Sequence, residues 1–311
     1  MHDLFTIDAL EVLLVSFGIG IVVGLTGMGG GALMTPALIL LGINPTSAVA
    51  NDLVAASVNK SVGAATHWKH GSPNLRLAGY LIVGSVPCAF IGTFVTGWFG
   101  SGDEEDLLKT VLGYALLFAA ASYAFRMYLQ LRLVTSGNTA PDEEPTIRPG
   151  LTILIGAVGG FLVGITSVGS GSVIMIALLL LYPTLSAVKL VGTDLVQAVP
   201  LVLAAAVGQV INHGVDWPVL IPLIIGGSPG TFLGSRIARR ISQSVIRRGI
   251  VIVLTMSGAK MLGANSDALL IIAAGLLLLG PLVWGFIRQT RGIPAFDNNL
   301  AAWRLPDKTR E

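Results

Sequence analysis

Three charged side chains stand inside stretches otherwise apolar enough to lie in lipid: Asp52, Lys60 and Asp194. Each charge costs about 2.5 to 3.5 kcal/mol near the centre of a membrane helix, on the order of 8 to 10 kcal/mol for the three. Such residues persist when they pair inside a helix bundle, bind a substrate or pass protons. Lys60 suits the balancing charge for an anion; alternatively its long stem snorkels to the helix end at His67, about 10 Å away by helical rise. Asp52 and Asp194 lie 142 residues apart, with Asn51 and Thr193 immediately before them, and are expected near opposite membrane faces. They either pin helices by accepting from bare backbone N–H groups or carry protons. Asn59 shares the helical face of Asp52, and Gln197 that of Asp194, giving each segment a polar stripe. Such a stripe lines a pathway or joins helices by hydrogen bonds. The residue 142 places beyond Lys60 is Val202, so the positive charge belongs to one half only.

Two glycine-rich breaks must position these groups. Gly24-Leu25-Thr26-Gly27-Met28-Gly29-Gly30-Gly31 is followed by an apolar run, and Gly164-Ile165-Thr166-Ser167-Val168-Gly169-Ser170-Gly171-Ser172 by another. Glycine lets a helix stop, turn and restart with bare N–H groups, and a helix start with bare donors is an anion site. The expected ligands are Gly29, Gly30 and Gly31 in the first break and Gly169, Ser170, Gly171 and Ser172 in the second. The serine hydroxyls either donate to an anion or simply allow close packing. Two other chemistries fail. Residues 27–32 satisfy a GxGxxA dinucleotide pattern, but no soluble βαβ unit surrounds it. An intramembrane serine hydrolase needs a His at the depth of its Ser, and His67 and His213 are interfacial or in a loop.

The composition places all of this in a membrane. Of 311 residues, 53% are hydrophobic and 12% charged, against about 25% charged in a soluble domain. The small net charge of +2 is spread over short loops, which gives nucleic-acid binding no support. Cys88 is the only cysteine, so an intrachain disulfide is impossible, and neither a metal site nor a cofactor is expected. No cleaved leader is expected at Met1-His2-Asp3, which lacks a basic n-region.

Seven runs are long enough to span: 48–66, 75–99, 107–131, 187–211, 218–237, 245–262 and 268–287. The remaining apolar material forms two pairs, 9–25 with 32–41 and 151–165 with 173–181, whose second members are too short to cross. Each pair reads as a helical hairpin. Placing the C-terminus inside puts 16 of the 19 basic residues on the cytoplasmic side, among them Arg126, Arg132 and Arg148, and none in the outer loops 100–106, 212–216 and 263–267. The N-terminus is then outside. The chain reads as an all-α integral membrane protein of two inverted repeats, each a glycine-broken hairpin plus three transmembrane helices. The expected divisions are a first repeat at 1–131, a cytoplasmic linker at 132–149, a second repeat at 150–265, an extra helix at 266–289 and a cytoplasmic tail at 290–311. Asn51-Asp52-Leu53-Val54 matches Thr193-Asp194-Leu195-Val196, and the segment Pro87 to Gly92 matches Pro229 to Gly234.

These residues resemble the sulfite exporter TauE/SafE family of anion permeases. The resemblance is carried by the glycine motif followed by Pro36, the Asn51-Asp52-Leu53 and Thr193-Asp194-Leu195 positions, and the two proline-to-glycine segments. It implies a bacterial inner-membrane transporter of sulfur-containing anions such as sulfite or sulfonates, commonly exporting them, with protons as a candidate coupling ion. The substrate would sit between the two breaks, ligated by their backbone donors and balanced by Lys60, with Asn51, Asn59, Thr193 and Gln197 around it. Asp52 and Asp194 would hold the hairpins or carry protons. The expected partners are a small anion and lipid, with a homo-oligomer left open. An anion channel, a permease for a different organic anion and an intramembrane enzyme are the competing classes.

Overall fold

The structure is a computed structural model, and it describes residues 7–26, 31–68, 73–95, 104–135, 146–169, 171, 173–183, 185, 187–237 and 243–290. Every element among them is helical: α1 (Ile7–Thr26), α2 (Gly31–Leu40), α3 (Pro45–Trp68), α4 (Leu75–Gly92), α5 (Glu104–Thr135), α6 (Pro149–Thr166), α7 (Val173–Leu181), α8 (Ala187–His213), α9 (Trp217–Ile237), α10 (Gln243–Met261) and α11 (Ser266–Gln289). All seven expected spans are helices. Six helices are long and apolar enough to cross a membrane, namely α4, α5, α6, α8, α9 and α11.

The boundaries shift where capping decides them. Helix α4 begins after its cap Asn74, whose side chain accepts from the Leu77 N–H, and stops at Gly92 rather than running on to 99. There the Thr93 hydroxyl donates to the Phe90 carbonyl at 2.7 Å, and Asn212 of α8 donates to the Thr93 carbonyl at 2.9 Å. Glu104 to Asp106, read as loop, form the first turn of α5. The same helix continues to Thr135, into the expected linker. The rest of that linker between 136 and 145, and the tail from 291, lie outside the described residues.

The element order repeats: α1 to α5, then α6 to α10, with α11 added. Helix α2 has 10 residues and α7 has 9, about 15 and 14 Å of rise, half of what a bilayer core requires. The second hairpin closes on itself. The Tyr182 hydroxyl, just after α7, accepts from the Arg148 N–H at 3.0 Å and lies 2.6 Å from the Thr152 hydroxyl at the start of α6.

The two halves exchange partners. Helix α1 lies along α9, and its counterpart α6 lies along α4. A β-carbon on Gly156, Gly160 or Gly164 would strike the carbonyls of Leu81, Ser85 and Ala89 in turn. The residues climb together, so α4 and α6 are parallel. Gly20 and Gly24 meet Gly227 and Thr231 in the same way, and Gly230 and Gly234 meet Phe17 and Ile21. Spacings of four let backbones touch, and van der Waals contact then replaces the hydrophobic drive that lipid cannot supply. The inner helices α3 and α8 pack between these pairs, and α5 packs on α10. Helix α11 stands apart, with Ile271 72% exposed and the other large side chains of its outer face similarly bare, a surface suited to lipid.

Candidate functional site

The two glycine breaks touch each other. Gly31 is the first residue of α2, and a β-carbon there would collide with the carbonyl and hydroxyl of Ser167. Ser167 caps α6 in the left-handed conformation, φ 59°, with its N–H on the Val163 carbonyl at 2.8 Å. Only a residue without side-chain bulk fits opposite it.

Asp52 seals this junction. Its Oδ2 accepts from the Thr35 hydroxyl of α2 at 2.6 Å and from the Ser167 hydroxyl at 2.8 Å. One carboxylate of α3 thus ties the first hairpin to the second. Its described donors are hydroxyls rather than the expected backbone N–H groups, because both breaks offer a hydroxyl at the depth of the carboxylate. Asp52 is the eighth residue of α3 and Asp194 the eighth of α8, but their environments differ. Asp194 accepts from Gln197 Nε2 one turn along its own helix at 3.0 Å, and Gln197 Oε1 faces the Ser85 hydroxyl of α4 at 3.4 Å.

Lys60 is 9% exposed and interacts electrostatically with Asp194 and with Asp52. The lysine therefore lies inside the bundle rather than reaching for the helix end, and both carboxylates act on this one cation. A buried charge of this kind is retained when it is compensated.

The remaining expected ligands divide. Gly29, Gly30, Ser170 and Ser172 lie outside the described residues. Gly169 has φ +139°, a conformation that favours glycine, and its carbonyl accepts from the Val173 N–H at 3.0 Å to start α7. The Gly171 carbonyl accepts from the Tyr123 hydroxyl at 3.3 Å. Thr193 accepts from the Asn74 N–H at 2.9 Å and donates to the Lys189 carbonyl at 2.7 Å, which commits it to holding the α3–α4 connection. Asn59 accepts from the Ser228 hydroxyl of α9 at 2.6 Å. Asn51 donates to the Ser47 carbonyl at 2.8 Å, and its buried Oδ1 has no hydrogen-bond partner among the described residues.

Sequence reasoning passed over four contributors. Thr35 lies in an apolar run next to Pro36, Ser85 among the small residues of α4, and Tyr123 in a long apolar helix. Arg126, counted with the cytoplasmic charges, lies in the last turn of the membrane-length part of α5, interacts electrostatically with Asp194, and has a buried Nε without a hydrogen-bond partner among the described residues. Only its spacing of three from Tyr123, on the same helical face, hinted at this.

Comparison with known proteins follows the same outline. The family described as "Sulfite exporter TauE/SafE" matches residues 12–261, which takes in most of α1 and all of α2 to α10 and leaves out α11. The chain is 37% identical over 257 residues to "Probable membrane transporter protein YjnA" of Bacillus subtilis, covering 82% of this chain and 100% of that one. It is 30% identical over 250 residues to a "Probable membrane transporter protein" of Xylella fastidiosa, covering 77% and 88%. "Probable membrane transporter protein MJ0441" of Methanocaldococcus jannaschii is 27% identical over 264 residues, covering 80% and 94%. No solved structure matches.

Proposed function

Because this chain belongs to the TauE/SafE sulfite exporter family of membrane transporters, we propose that its buried lysine is the substrate-charge partner of an anion permease. The observation that carries the reading is Lys60, buried two turns along α3 from the Asp52 that clasps both breaks and interacting electrostatically with both carboxylates. The substrate class is a small sulfur-containing oxyanion, such as sulfite or a sulfonate, moved outward across the bacterial inner membrane. The N-terminus is outside and the C-terminus cytoplasmic.

Charge counting suggests how coupling would work. An anion arriving at Lys60 meets two carboxylates, and its approach is opposed unless one takes a proton. Asp52 is fixed by hydroxyl donors from both hairpins, whereas among the described residues the hydrogen bond to Asp194 comes from Gln197 of its own helix, with cations near it. Asp194 is therefore the carboxylate that exchanges its cation for a proton when the anion binds. The swapped pairing of α1 with α9 and of α4 with α6 supports two inverted repeats that rock against each other. Asp52 would hold the breaks together in one state and yield in the other.

Flux into proteoliposomes tests this. Saturable sulfite or sulfoacetate uptake that responds to an imposed pH gradient is expected. Non-saturating flux that follows the electrical gradient alone would overturn it in favour of a channel.

A further inference from the structure

Arg126 and Tyr123 stand one turn apart on α5, and their contacts turn both toward the second half of the bundle. Tyr123 is 3% exposed and places its hydroxyl on the Gly171 carbonyl of the second break. Arg126 acts on Asp194 of α8, the carboxylate that Lys60 also acts on. One acidic side chain thus has two cations about it, one from α3 and one from α5, both supplied by the first half of the chain. Among the described residues, the buried Arg126 Nε has no hydrogen-bond acceptor. An N–H donor left dry in this way is unfavourable, and an oxygen ligand placed there would satisfy it.

We infer that Arg126 is a second ligand of the transported anion, acting with Lys60 about Asp194, and that it selects for oxyanions. The inference rests on the permease reading above and extends it to specificity. A guanidinium presents paired donors in a plane, which match two oxygens of a sulfite or sulfonate head, whereas an ammonium is a point charge. Lys60 then neutralises the anion and Arg126 recognises its shape. Tyr123 holds the second break against α5, so that the arginine one turn away keeps its position relative to that break. The charged groups of this cluster are Asp52, Asp194, Lys60 and Arg126; with all four ionised they sum to zero, so neither cation is surplus to the resting state.

The test is sulfite uptake by the full chain in proteoliposomes, comparing native protein with Arg126→Lys and Arg126→Gln. Arg126→Lys keeps charge and length and loses the planar fork. It is expected to raise KM for sulfite about tenfold or more, as the loss of a charge-assisted hydrogen bond implies, with the maximal rate within about twofold. Arg126→Gln is expected to abolish saturable uptake, and Arg126→Lys carries the test if the glutamine variant does not fold. A purely structural arginine would instead lower the maximal rate through loss of folded protein and leave KM unchanged. Native uptake with an unaltered KM in both variants overturns the assignment and leaves the permease standing. No sulfite or sulfonate uptake by the native chain overturns the substrate reading and this assignment with it.

Discussion

The hydroxyl of Ser167, in the second glycine break, donates to Asp52 of the first half at 2.8 Å, across 115 residues of chain. The same carboxylate oxygen takes the Thr35 hydroxyl, so a single atom joins an inner helix and both hairpins. The consequences of that junction are open to measurement.

Removing the carboxylate strands two buried hydroxyls. Asp52→Ala is expected to lower stability in detergent by about 2 to 4 kcal/mol, the cost of two unsatisfied polar groups. Ser167→Ala loses one donor and also sits badly at φ 59°, whereas Ser167→Gly loses the donor but fits the left-handed backbone. Glycine should therefore be the milder change by about 1 kcal/mol. Thermal unfolding of the three variants checks the order; Ser167→Gly as damaging as Asp52→Ala would contradict it.

Gly31 has no room for a β-carbon against Ser167, while Gly79, on α4, has open space around it. Gly31→Ala should force the breaks apart and remove transport, although the protein still inserts. Gly79→Ala should be neutral or slightly stabilising, by up to about 1 kcal/mol from helix propensity. Equal loss of flux in both would show that glycine content, not this contact, matters.

Asp194 and Asp52 are expected to separate functionally. Asp194→Asn should still move sulfite but without response to a pH gradient, because its side chain no longer exchanges a proton. Asp52→Asn keeps the shape of the latch and should slow flux while leaving the gradient response. Measuring initial rates with and without a pH step distinguishes them, and the reverse pattern would exchange their roles.

Much of this architecture could be read before any coordinates. The glycine breaks, the paired Asp52 and Asp194 and the short second arms of the hairpins are local signals, and the structure has helices where they point. What depends on facing was not legible. Whether Lys60 snorkels or is buried is decided by which side of α3 meets α8, and a single sequence does not state that. Arg126 read as a cytoplasmic charge because it lies nine residues from the end of α5, within the reach that usually marks a helix end. Thr35 and Tyr123 were silent because hydroxyls in apolar runs commonly bond their own helix. The glycine ladders of α6 and α9 show their purpose only when Leu81, Ser85 and Phe17 are set against them.

The most direct test of the account is saturable sulfite uptake into proteoliposomes by the native chain and by Lys60→Val, the residue that the second half carries at the matching position. The account predicts saturable, gradient-responsive uptake in the native protein and its loss in a variant that remains folded. Unchanged affinity and rate in Lys60→Val would contradict it, because the buried lysine would then have no part in holding the anion.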